Sequence, residues 1–168
     1  MDETPLPDAE ALALAASVLD AARSGNANLV ADCLHRGLPP DLANDKGDTL
    51  LMLAAYHGHA DLVRLLARHG ANSGLANDRG QAPLAGAAFK GYMDVVVALL
   101  DAGAPIDQVG PDGRTALMIA ASFDRGDIVR LLCARGANSA LRDSTGATAA
   151  DLARAMAAGG ALKALTRA

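Results

Sequence analysis

Apolar and polar positions along this chain follow one pattern that returns every 33 residues. A compact apolar run, Leu50-Leu51-Met52-Leu53-Ala54-Ala55, is followed by a segment in which Leu62, Val63, Leu65 and Leu66 recur at helical spacing. Polar, glycine-bearing turns punctuate both. Gly47, Gly80, Gly113 and Gly146 keep the phase, and Thr49, Thr115 and Thr148 stand two places after their glycines, with Ala82 the exception. Leu51, Leu84 and Leu117 stand four places after, and Ala-Ala pairs follow at 54–55, 87–88 and 120–121. A second glycine recurs at 37, 70, 103 and 136. Such a period predicts stacked helical units, because one unit of this size cannot bury its own faces.

Each unit reads as a turn and two helices. Asn44-Asp45-Lys46-Gly47 is a turn with glycine where a positive φ is wanted. Thr49 can cap the first helix through its hydroxyl, and Pro83 suits the first helical position of the next copy. That helix is expected to end near Gly58. The second helix begins around Asp61, whose counterparts are Asn28, Asp94 and Asp127, so a carboxylate meets the positive end of the helix dipole in three copies. Gly70 is a left-handed cap. At the N-terminal end, Pro7-Asp8-x-Glu10 opens a longer helix running to about Ser24, with Asp20 where later copies are apolar or small. At the C-terminal end, Gly159-Gly160 is expected to separate two short helices. Asp124 replaces the glycine between the helices of the fourth unit and leaves that turn open.

The Gly-x-Thr-x-Leu starts, the Ala-Ala pairs, Gly58-His59, the Leu-Val-x-Leu-Leu helix and Gly-Ala-Asn at 70–72 and 136–138 resemble the ankyrin repeat, over roughly residues 11–165. The resemblance implies an all-α solenoid of stacked helix-turn-helix units with β-turn fingers. Three full repeats (44–76, 77–109, 110–142) would lie between an N-terminal cap (8–43) and a C-terminal cap (143–168), as one domain over 1–168. It also implies a concave side lined by the inner helices and a protein as partner. The family's Thr-Pro-Leu-His appears here as Thr-Leu-Leu-Met, Ala-Pro-Leu-Ala and Thr-Ala-Leu-Met. The histidine's hydrogen bonds must be missing or replaced, and an array less stable than the family consensus is expected.

Composition narrows the function. Apolar residues make up 51% of the chain and aromatics only 2%, which suits closely packed Ala-rich helices. A net charge of −4 argues against nucleic acid or an anionic membrane as partner. The N-terminal Met1-Asp2-Glu3-Thr4-Pro5 lacks the cationic stretch of a secretory signal, and apolar runs such as Val95–Leu100 are too short to span a bilayer. The expectation is a cytoplasmic monomer, and Ala and Arg usage with few Lys suggests a bacterial source. Stacked helices about 8–10 Å apart put Cys33 and Cys133 roughly 30 Å apart, against the ~7 Å a disulfide allows. Both are expected as small buried hydrophobes.

No catalytic or phosphate-binding motif is present. His57-Gly-His59 could suggest a metal site, but His59 belongs to the repeat's turn and no third ligand is close in sequence. The chain is therefore expected to be neither an enzyme nor cofactor-dependent, and to bind another protein. An inhibitor or immunity-type protein masking an enzyme or toxin is the alternative, and a small-molecule or metal-binding protein a remoter one. The aromatics point to the surface used. All four stand near the end of an inner helix: Tyr56 and Phe89 in register, Phe123 one place later, and Tyr92 in the turn after the third unit's first helix. Aromatic and arginine residues dominate binding hot spots, so Tyr56, Phe89 and Phe123 are candidate contacts, against a reading as filler between repeats. His57 and Lys90 adjoin them. The finger residues Asp45, Lys46 and Asp48 align with Asp78, Arg79 and Gln81, and with Pro111, Asp112 and Arg114. They form a mixed-charge rim. Gly86, inside a helix, reads as a soft spot or as room for a ligand backbone.

Overall fold

A computed structural model describes residues 9–166. Its helices are α1 (Ala9–Ser24), α2 (Ala27–His35), α3 (Leu50–Tyr56), α4 (Ala60–Arg68), α5 (Pro83–Lys90), α6 (Met93–Asp101), α7 (Ala116–Ser122), α8 (Gly126–Ala134), α9 (Ala149–Ala155) and α10 (Gly159–Leu165). The odd-numbered helices form one row and the even-numbered ones a second, each helix packed on the next in its row. Among the described residues the only strand-like pairing is an isolated bridge between Ala43 and Thr49. The fold is the all-α solenoid that the period predicts. Pro7 and Asp8, expected to open α1, lie outside the described residues.

Local chemistry explains the helix starts. The hydroxyls of Thr49, Thr115 and Thr148 accept from the N–H groups of Met52, Met118 and Asp151, and Asp151 completes a capping box on α9. Ala82 has the same extended backbone without a side-chain cap, and Pro83 opens α5 instead. The Ala pairs at 54–55, 87–88 and 120–121 are fully buried. Their small side chains let the inner helices approach closely, while Leu62, Val63 and Leu66 and their counterparts fill the layer beneath.

The turn inside each unit carries one left-handed residue: Gly25, Gly58, Gly91, Asp124 and Ala157. In three cases a side chain from the next unit lies over it: His59 over Gly25, Tyr92 over Gly58 and Arg125 over Gly91. At Asp124 (φ 52) the relation is inverted. Its carboxylate reaches forward and accepts from the N–H of Ala161 at 2.7 Å in the first turn of α10, and Ala158 replaces the large covering side chain. The glycine lost from the fourth unit is thus compensated, and the turn is kept.

Two expectations are corrected. Gly159 and Gly160 do not separate the last two helices but begin α10; the break is Met156–Ala158, with Ala157 left-handed at φ 53. Register decides this, since Ala157 holds the place of Gly58 and Gly159 that of Gly126. Cys33 is buried, but Cys133 is only partly so, one register position later in its helix. Burial still raises the Cys133 thiol above its ordinary pKa.

Without that histidine, hydrogen bonds still join the fingers at two of the three junctions. Between the second and third fingers, Asn77 accepts from the N–H groups of Arg79 and Gln81 and donates to Asp48 at 2.8 Å. The N–H of Asp78 donates to the carbonyl of Lys46 at 3.0 Å. Between the fourth and fifth, Asp143 takes Asn77's place. It accepts from Thr145 and Ala147 and from Arg114 Nε at 3.2 Å, and the N–H of Ser144 donates to the carbonyl of Asp112 at 3.0 Å. Between the third and fourth, the corresponding residues are Gly110 and Pro111, which have no side-chain amide and no N–H to give.

Candidate functional site

Helices α3, α5 and α7 and the fingers before them line an open cleft of about 870 Å³. Its lining includes Leu53, Gly86 and Ile119, which share one register position on α3, α5 and α7, about one helical turn before the aromatic residues. A β-carbon at Gly86 would stand 3.5 Å from the Tyr56 ring, an ordinary contact, so the glycine leaves a notch between two larger neighbours.

Tyr56, Phe89 and Phe123 border this cleft from three successive units. They remain 43%, 39% and 48% exposed. Each unit also packs on the ring before it. Lys90 places its ammonium 4.4 Å above the Tyr56 ring centre, and Phe123 meets Phe89 edge to face at 4.8 Å. Phe123 stands one place late because it occupies Lys90's position, not Phe89's; the in-phase residue, Ser122, is buried and donates to the carbonyl of Met118. The rings therefore bridge neighbouring repeats and still present a face to the cleft. Tyr92, the fourth aromatic, lies over Gly58, with ring atoms 3.3 Å from where a β-carbon would stand.

The finger residues divide. Lys46, Asp48, Arg79 and Gln81 line the cleft, as do Asp112 and Arg114. Asp45 and Asp78 are exposed on the fingers but do not line it, and Lys90 enters only through Tyr56. His57 lines the cleft edge; partial burial, then the nearby His59, Lys90 and Arg23, hold it below its ordinary pKa. The Asp48 carboxylate accepts from Asn77 and Asn44, and Asp112 from the N–H of Arg114. Sequence reasoning missed Arg23, Met52, Leu53, Gln108 and Ile119 in the lining. Met52, Leu53 and Ile119 could have been found by carrying the helical register back one turn from the aromatic positions; Arg23 comes from the first unit, whose divergence hid the alignment.

His59 is engaged by the carbonyl of Arg23, with Nε2 at 2.8 Å. Among the described residues no group of three His, Cys, Asp or Glu side chains could hold a metal ion, and no helix is long and apolar enough to cross a membrane.

A stack of helix pairs with hydrogen-bonded fingers and an open cleft along its inner row defines an ankyrin-type scaffold, and the comparisons agree. A family model for ankyrin repeats in three copies matches residues 18–109, and a second, for many copies, matches 99–153. The chain belongs to the ankyrin repeat family. Over 58 residues it is 45% identical to an ankyrin repeat protein of Pseudomonas aeruginosa; the match covers 33% of this chain and spans about a third of the relative's length, 34%. Ankyrin repeats are generally protein–protein interaction modules, and the family is typically non-catalytic.

Proposed function

We propose that this chain is a non-catalytic scaffold that captures a partner protein in the cleft along α3, α5 and α7. One observation carries the reading: three rings from consecutive units share one open cleft and keep about two-fifths or more of their surface free. Large rigid side chains fixed by their neighbours lose little entropy on contact, which is what a binding anchor needs. The finger side chains supply a polar rim around that apolar centre.

The test is capture from a lysate of the source organism on the immobilised chain, compared with the variant Tyr56→Ala/Phe89→Ala/Phe123→Ala. The variant is expected to lose the captured partner. It also forfeits one cation–π contact and one aromatic pair, each about 1 kcal/mol, so a modest fall in melting temperature is expected. Loss of fold, or capture that survives the substitutions, would overturn the reading.

A further inference from the structure

The cleft carries the opposite charge to the chain. The whole sequence has a net charge of −4, yet Arg23, Lys46, Arg79 and Arg114 line the cleft against only Asp48 and Asp112. Both carboxylates are already engaged. Asp48 holds the Asn77 and Asn44 amides, and Asp112 lies 3.5 Å from Arg114. Arg114 is also shared with the buried Asp143, and Arg23 pairs with Asp20. Lys46 and Arg79 differ. They are exposed, they stand at equivalent places on adjacent fingers, and among the described residues neither forms an ion pair. Two free cations thus face the same cleft as the Tyr56 and Phe89 rings, with Lys90 holding a further positive charge over Tyr56.

We infer that the cleft takes an acidic segment of the partner, with carboxylates on Lys46 and Arg79 and an apolar side chain in the notch at Gly86. This rests on the scaffold reading above and adds the partner's chemistry to it. The physical case is complementarity. Cations with no partner in the free protein gain on meeting carboxylates without first breaking an ion pair, and they repel basic segments. Attraction between such charges also steers encounter and weakens as salt rises. The rings supply the desolvated centre that exposed ion pairs alone do not. A single-stranded nucleic acid also combines negative charge with stackable faces. The acidic character of the chain as a whole, together with its family, favours the protein segment.

The experiment pans a phage-displayed random dodecapeptide library against the full chain, then measures the recovered peptides by fluorescence anisotropy. Expected are sequences rich in Asp and Glu around at least one apolar residue. Their binding should weaken at least tenfold in Lys46→Glu/Arg79→Glu and again between low and high salt. Gly86→Leu, which fills the notch, should weaken them without altering their preference for acid. Circular dichroism confirms that each variant is folded; the finger bonds made at 46 and 79 come from the backbone, so charge reversal leaves them in place. Neutral or basic peptides lost only in the three-ring variant would sink the acidic inference and leave the scaffold reading standing. Peptides indifferent to both sets of substitutions would sink both. Recovery of no peptide, or tighter binding of a labelled oligothymidine than of any peptide, would also overturn the inference.

Discussion

Two finger junctions only 33 residues apart in sequence are built from different chemistry. At the first, Asn77 ties its own turn and reaches back to Asp48, while Asp78 and Lys46 share a backbone bond. At the next, Gly110 and Pro111 hold the same places, and the contact is steric: a β-carbon on Gly80 would stand 3.0 Å from the Pro111 ring. The helices beneath are alike in both. The array is therefore held by two separable systems, an apolar one that repeats faithfully and a polar one along the fingers that does not. Since the fingers carry Lys46, Arg79, Asp112 and Arg114, the polar system sets how firmly the candidate binding groups are spaced.

The severest break of that comparison is Asn77→Ala. It removes the acceptor for two N–H groups and the donor to Asp48 at a site that is 6% exposed. Leaving these part-buried backbone donors and the Asp48 carboxylate without their shared partner costs about 1–3 kcal/mol, and chemical denaturation should show a loss of that size. A loss under about 0.5 kcal/mol, the level of an ordinary surface substitution, would mean that helix packing alone fixes the fingers.

Much of this architecture is legible in the amino-acid sequence. The threonine caps, the buried Ala pairs and the two rows follow from a period that recurs along the chain with few exceptions, and local propensity agrees with it. What escaped depended on how one unit meets the next. Gly159-Gly160 read as a break because glycine is a helix breaker in isolation, yet register assigns that task to Ala157. Phe123 looked like a displaced copy of Phe89, whereas it is the partner of Phe89, a relation set by the spacing between helices. At Asp124 the sequence leaves the turn open because its compensation lies 37 residues away, in α10. The finger residues were placed by alignment, but which of them face the cleft depends on how each turn leans on its neighbour. Periodicity does not encode that.

A second prediction sharpens the contrast at the far junction. Asp143 is buried, and hydrogen bonds hold its carboxyl at about 2: the Thr145 hydroxyl first, then the N–H groups of Ala147 and Thr145 and the Arg114 guanidinium, against the opposing cost of burial. The folded state thus binds the proton less tightly than the unfolded chain, whose carboxyl titrates near 3.8. The stability this group contributes is complete above that value and drains away as pH falls toward 2. Denaturation midpoints of the protein and of Asp143→Asn should differ most at pH 5 and converge toward pH 2. A constant difference across that range would mean that the bonds to Asp143 do not distinguish its charged form.

The smallest effect is a gain, and it tests whether the bare junction can be mended. Gly110→Asn with Pro111→Asp copies Asn77-Asp78 into the fourth finger. The position has room, since a β-carbon at Gly110 would meet nothing closer than an ordinary 3.5 Å contact, with Asp112. The equivalent acceptors are the Gln81 amide oxygen, which already takes one bond from Asn77 and has a second lone pair to offer, and the Arg79 carbonyl, which stands where that of Lys46 does. Each new bond is worth about 1 kcal/mol. Removing proline frees the unfolded chain and returns roughly 0.4–1 kcal/mol of that. The net expectation is a stabilisation of about 1 kcal/mol, with slowed hydrogen exchange at the amide of position 111 as its local signature. Stabilisation without that protection would place the gain elsewhere. Protection without stabilisation would show that proline's hold on the unfolded state already offsets what the neighbouring junctions achieve by hydrogen bonding.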